Sequence, residues 1–346
     1  MKINTSYSES IKQIREKNLP SREHSRRIIH WEEKHRIKSE VVKALVFILP
    51  TRGCSWALSG SGGCSVCGYL YDNPQKPDFE MIMISIKDIL NKKIQQEEEY
   101  SIKIFTSGSF LDRNEVPINV QEAILKELAK YHQIREIVLE SRPEYINDKI
   151  LQNIVNNIDI SKIEIAIGLE SANNKILKNS VNKGFFWEDF EQATERIIKF
   201  GAKVKAYLLF KPPFVTEYDS INDIFLSVSK IKKLGIDTVS INAISIHRGT
   251  YLSLLFEKNQ YRPPWLWSLV YICKEIKAKF PEIRLICDVV AGGTRRGAHN
   301  CGECDKAILE QLKEFTLTQD LKALNHNIQC SCKEEWKGYV LHEKIS

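Results

Sequence analysis

The sequence predicts an α/β protein built from repeated βα units on a parallel sheet, followed by a small Cys-rich C-terminal module. Two observations carry this prediction. From Ala44 onward, short apolar, β-branched runs alternate with longer amphipathic segments. Polar and backbone-permissive residues follow run after run, as expected where parallel strands end at a ligand-binding rim. The chain has 346 residues, 43% of them apolar, which is enough for one large domain or two ordinary ones. There is no repeat of fixed period and no low-complexity tract.

Residues 1–40 hold ten Lys or Arg, six Glu and three His, and Pro20-Ser21 marks a break and a helix start. They read as a basic, helical lead-in. Six strands follow in residues 41–290: Ala44 to Leu49, Ile102 to Phe105, Glu136 to Leu139, Ile163 to Ile167, Val204 to Leu209 and Val239 to Ala243. Helices with apolar residues three or four apart lie between them, clearest at Val120 to Tyr131, Asp189 to Phe200 and Ile221 to Leu234. A weaker seventh strand runs from Arg284 to Val290. Residues 291–346 are richer in Gly, Cys, Lys and Glu and read as an appended module.

The net charge of +6 permits an anionic partner without demanding one. The apolar stretch Ala44 to Pro50 is far short of the roughly 20 residues of a membrane span, and no signal peptide opens the chain. A cytoplasmic protein without membrane attachment is expected. Nine Cys are then unlikely to form a disulfide framework, because thiols stay reduced there and the odd count leaves one over. Metal or cluster binding is the better explanation. Cys54, Cys64 and Cys67 form a C-x9-C-x2-C array on a Gly- and Ser-rich loop after the first strand. Three thiolates on one loop suit a three-ligand zinc site or a four-iron cluster with one iron open. The nearest other Cys or His, His35 and His132, are far off in sequence, which favours the cluster.

These residues resemble the radical S-adenosylmethionine (SAM) superfamily, in the longer C-x9-C-x2-C form of its Elp3-related subgroup. Glu140 to Tyr145 (ESRPEY), Thr106 to Phe110 (TSGSF), Gly168 to Ser171 (GLES) and Asn182-Lys183-Gly184 extend the resemblance from about Ala44 to Ser245. The resemblance implies a partial (β/α)6 TIM-like barrel, a 4Fe–4S cluster on the three cysteines, and SAM at the open iron. Ser107, Gly108, Ser109, Glu140, Arg142 and Glu170 are then the candidate SAM contacts. Many members carry an aromatic residue before the third Cys. This chain has Val66 there, with Tyr69 as the candidate substitute.

The tail segments Arg295 to Gly302 (RRGAHNCG) and Phe315 to Asp320 (FTLTQD) are similar to the RaSEA family, radical enzymes of archaeosine formation in tRNA. That narrower resemblance implies C–N bond cleavage in a lysine adduct of 7-cyano-7-deazaguanine. It also implies tRNA, an ArcS-like lysine transferase and an electron donor as partners. Arg26-Arg27 and Arg295-Arg296 are candidate phosphate contacts. Cys273 and Cys287 sit in apolar surroundings and read as core residues. Cys301-x2-Cys304 and Cys330-x-Cys332 form two close pairs, read as a zinc site with a second cluster as the alternative. Two other functions stay open: a radical SAM enzyme acting on another RNA or a small molecule, and a non-catalytic zinc-containing nucleic-acid-binding protein.

Overall fold

Alternation along the strands decides how the sheet is used. In a computed structural model that describes residues 6–18 and 27–345, eight strands form one sheet in chain order. They are β1 (Ile29–Ile37), β2 (Glu40–Ile48), β3 (Tyr100–Phe105), β4 (Ile134–Ser141), β5 (Ile163–Glu170), β6 (Lys203–Phe210), β7 (Thr238–Ala243) and β8 (Arg284–Ile286). The six predicted strands are β2 to β7, and the weak seventh is β8, shorter than expected. From β2 to β8 every pairing is parallel. Every second residue, such as Phe47, Ile104, Leu139, Ile165, Leu208 and Ile241, joins one large apolar core. The residues between them, Ser101, Lys103, Glu136, Glu164, Lys205 and Ser240, are polar and buried. Successive side chains point to opposite faces, so one face is apolar and the other polar. Cys273 and Cys287 are core residues as expected.

The lead-in needs correction. It contains the helix Tyr7–Asn18 and also β1, which pairs antiparallel with β2 across a tight turn where Lys38 has φ 53°. The strand IHWEEKHRI is polar on both faces, because one of them, with Glu33 and His35, meets the polar side of the sheet. Glu33 binds Lys103 at 2.5 Å, and His35 binds Glu136 of β4 at 2.7 Å. Pro20, Ser21 and Arg26 lie outside the described residues.

The tail also needs correction: residue 290 is no packing boundary. Ala298, Ile308, Leu312, Phe315, Leu324 and Cys332 belong to the same core as the strands. The helix Asp305–Thr318 and the residue after it bridge the two edge strands. Gln319 accepts from the Leu285 N–H at 2.8 Å and donates to the Leu285 carbonyl at 2.8 Å, while Arg36 of β1 donates to the Leu317 carbonyl at 3.1 Å. The tail therefore seals the seam of a curled half-barrel. Among the described residues, no helix is long and apolar enough to cross a membrane.

Below the seal, Arg284 of β8 reaches His35 of β1, and both reach Glu136. Nε2 of His35 lies 2.7 Å from both Glu136 and the Arg284 guanidinium, whose contact with Nδ1 is longer at 3.3 Å. Burial pushes the His35 pKa from 6.5 down to about 4. Burial alone would raise Glu136, but the His35 hydrogen bond and the Arg284 charge hold it down at about 2. Between pH 6.5 and 4 the unfolded chain takes up a proton at His35 that the folded protein excludes. Stability should be full above about pH 6.5 and fall by at most about 3 kcal/mol as pH drops to 4, with a further loss from Glu136 below that. Urea midpoints across this range check it, and His35→Phe should flatten the slope between pH 6.5 and 4 while lowering stability throughout.

Candidate functional site

The carboxyl ends of β2 to β6 converge on the cysteine loop, which has little regular structure of its own. Only the single turn Ser55–Leu58 and the short 3-10 turn Tyr69–Asp72 are helical. Neighbouring segments hold the rest. Asn182 donates to the Gly63 carbonyl at 2.8 Å, and Trp56 Nε1 donates to the Asn182 carbonyl at 2.8 Å. Ser65 donates through its N–H to the Val181 carbonyl and through its hydroxyl to that of Ser180, at 2.9 and 2.7 Å. Gly184 lies so close to the Trp56 ring that a Cβ there would come within 2.5 Å of it. The Asn-Lys-Gly motif thus clamps the loop from one side. Tyr71 donates to the Gly249 carbonyl, and Gly68 packs against His247.

Cys54, Cys64 and Cys67 face one another closely enough for their charges to interact. Burial raises the Cys54 thiol against the pull of Arg142. Burial and then Cys64 raise the Cys67 thiol to about 11, with Arg15 opposing. Three such thiolates can each ligate a different iron of a cluster.

The Thr106 to Phe110 segment passes directly over Cys54, where a Cβ on Gly108 would lie 2.5 Å from the Cys54 Cα. Glu115, buried and not foreseen from the sequence, fixes this segment by accepting from Thr51 Oγ1 and the Ser109 N–H, each at 2.7 Å. Burial raises its carboxyl to about 7. Its only sequence signal was a Glu between apolar segments. Ser107 stays near the surface of the site, with its hydroxyl donating to Asn73 at 2.8 Å. The Ser109 hydroxyl is buried against Ser141 at 2.8 Å.

The charged candidates part company. Arg142 is sandwiched near Trp56 and Phe185, bound to Glu144 at 2.5 Å and donating to the Lys183 carbonyl at 2.9 Å. It braces the loop from within. Glu140 follows Glu136 and Val138 on the concave face. Burial pushes its carboxyl up to about 7 despite Lys205 and a hydrogen bond from Tyr207. Glu170 has φ 69° at an irregularity in β5 and pairs with Lys183 at 2.7 Å. Gly168 leaves room for that pair, since a Cβ there would meet both partners at about 3 Å. Val66 packs on Ile244, Ile246 and Leu252, whereas Tyr69 is 53% exposed and meets His247 edge-on at 5.0 Å. Lys211 is buried on Glu217 at 2.8 Å, and Arg296 donates to the Ile246 carbonyl at 2.9 Å through Nε, so neither guanidinium nor ammonium is idle.

A matching sequence pattern over residues 48–219 is that of the radical SAM superfamily. The chain belongs to that superfamily. It is 37% identical over 338 residues, 97% of this chain and 95% of the other, to archaeosine synthase subunit beta of Methanosarcina acetivorans. It is 38% identical over 313 residues to archaeosine synthase subunit beta of Thermococcus kodakarensis, covering 90% and 96%. An uncharacterized protein of Methanocaldococcus jannaschii is 39% identical over 349 residues, covering 98% and 94%. These relatives bear out the narrower resemblance read from the sequence. Two solved structures share the fold at low identity. Methanocaldococcus infernus Elp3 superposes with TM-score 0.51 and 16% identity, covering 69% of this chain and 59% of Elp3. Methylornithine synthase gives TM-score 0.51 and 14% identity, covering 80% and 68%. Membership of the superfamily implies a 4Fe–4S cluster and SAM, and the donor set around Cys54, Cys64 and Cys67 fits both.

In the tail, the sulfurs of Cys301, Cys304, Cys330 and Cys332 all lie within 4.8 Å of one another. Neighbouring separations run from 3.3 to 4.0 Å, bracketing the ~3.8 Å of a tetrahedron with 2.3 Å metal–sulfur bonds. Trp267 Nε1 and Asn300 Nδ2 each donate to a sulfur, of Cys332 and Cys304, at 3.3 Å. Such N–H donors stabilise thiolates that bind a metal. His299 and His326 stand apart from this group.

Gly184→Ala should force both a strained backbone at φ 81° and a clash with Trp56. Iron bound per chain after anaerobic reconstitution should fall at least about three-fold with secondary structure retained, as read by iron analysis and circular dichroism.

Proposed function

We propose that this chain is the radical SAM subunit of an archaeosine synthase, cleaving a C–N bond in a lysine adduct of 7-cyano-7-deazaguanine carried by tRNA. The observation that carries the reading is end-to-end similarity, at 37 and 38% identity, to two proteins named archaeosine synthase subunit beta. The three-cysteine loop and the polar concave face supply the chemistry such an activity needs. Cys54, Cys64 and Cys67 hold the cluster, and three ligands leave one iron for the methionine part of SAM. The bound group supplies one-electron cleavage of SAM. Ser107 and the backbone of Gly108 would border the ligand, Glu140 with Tyr207 offers a carboxyl that holds or releases a proton near neutrality, and Glu170 with its partner Lys183 would complete the rim. The partner is the subunit that attaches the lysine, an ArcS-like transferase, and an electron donor completes the system.

Anaerobic incubation with SAM, reductant and tRNA bearing the lysine adduct, followed by nucleoside mass spectrometry, tests the reading. Archaeosine should appear with wild-type protein and vanish with Cys54→Ala, Cys64→Ala or Cys67→Ala, each of which should also lose cluster absorbance. Cofactor cleavage without any change in the modified base would redirect the assignment to another substrate.

The tail cysteines are read as one zinc site, because a closed shell of four thiolates with N–H donors favours that ion. Metal analysis should give one zinc per chain. Cys330→Ser with Cys332→Ser should lose zinc, keep the barrel iron, and expose residues beyond 300 to protease. About eight irons and no zinc would replace the zinc by a second cluster.

A further inference from the structure

The helix Tyr7–Asn18 lies across the cysteine loop and touches it backbone to backbone. Gly62, at φ 73°, leaves so little room that a Cβ there would sit 2.6 Å from both the Cα and the N of Lys12. Tyr7 donates to the Ser180 carbonyl at 2.6 Å and Ser8 to Asn182 at 3.1 Å, which anchor the start of the helix. Further along, Arg15 is only 3% exposed and spends its fork on the loop itself. Its Nε donates to the Gly62 carbonyl, and one terminal nitrogen donates to the carbonyls of Cys64 and Cys67 at 3.2 and 3.0 Å. The guanidinium also lies 5.4 Å from the Tyr71 ring centre.

Every one of these partners is neutral. The other terminal nitrogen is buried with no hydrogen-bond partner among the described residues. A desolvated cation that meets no carboxylate among the described residues and keeps an unused donor is costly unless an anion completes its surroundings. The nearest candidate is the thiolate-ligated cluster that Cys64 and Cys67 would hold. Hydrogen bonds and charge near cluster sulfurs raise its reduction potential.

We propose that Arg15 is a positioning residue that ties the Tyr7–Asn18 helix to the cluster loop and serves as the buried counter-charge that keeps the cluster reducible. The inference rests on the assignment of the cluster to Cys54, Cys64 and Cys67. Arg15 touches three carbonyls spread across the C-x9-C-x2-C array, so it fixes the spacing of two ligands at once. Lysine keeps the charge but cannot span the three carbonyls, so the two roles separate experimentally.

The test is an EPR-monitored redox titration of anaerobically reconstituted protein, paired with the rate of iron release to a chelator. At the poise where half the wild-type cluster is reduced, Arg15→Met should show about five-fold or more less reduced cluster and release iron about ten-fold faster. Arg15→Lys should recover most of the reduction but not the slow iron release. Should Arg15→Met fail to fold, Gly62→Ala pushes the helix off the loop with Arg15 retained, and it should shift both readouts in the same direction. An unchanged midpoint and unchanged iron release in the folded variants overturn the proposal. Cys54→Ala serves as the control: if it strips the cluster while Arg15→Met changes nothing, this inference alone fails, and if it keeps the cluster, the ligand assignment fails first.

Discussion

Three thiols must be held in a fixed triangle by a stretch of chain that can scarcely fold alone. Between Cys54 and Cys67 the backbone makes few internal hydrogen bonds, and its glycines adopt conformations that cost entropy to fix. The restraint therefore comes from outside. Asn182 and Trp56 clamp one side, Arg15 and Gly62 the other, and the Thr106 to Phe110 segment closes over Cys54. Each of these holders sits at the end of a strand or on a helix packed into the main core. The geometry of the site is thus borrowed from the stability of the whole sheet.

The sheet is asymmetric for the same reason. Helices cover one face and bury an apolar layer, whereas the concave face carries Lys103, Glu136, Glu140, Glu164, Lys205 and Tyr207. Most of these charges are paired, as at Lys205 and Glu164, 3.2 Å apart and almost wholly buried. Such pairs contribute little net stability compared with an apolar filling. They do preserve a polar lining above which ligands can sit. Glu140 differs in that its hydrogen bond comes from Tyr207, with Lys205 as the nearby opposite charge.

Much of this was legible from local pattern. The strands β2 to β7 announce themselves by β-branched alternation, and the two cysteine groups by spacing, because both signals sit within a few residues of one another. β1 was missed because its inward residues are Glu33 and His35, whose burial depends on partners about 70 and 100 residues away. Glu115 and Arg15 escaped notice for a related reason: each looks like a solvated charge until the chain folds and supplies its partners. The tail was read as separate because its composition is polar. Yet Phe315, Leu312 and Ile308 are spaced for one helical face, and that face enters the common core. Arg142 shows the converse limit, since its motif is visible but its fork is already engaged by Glu144 and Lys183.

The seam between β1 and β8 gives the protein an order of assembly. Arg36 and His35 come early in synthesis, while their partners Leu317 and Arg284 come about 250 residues or more later. A ribosome releasing this chain would expose the concave face and the cysteine loop long before the closing helix exists. The helix Asp305–Thr318 thus acts as a latch across a seam whose two sides are made far apart in the chain.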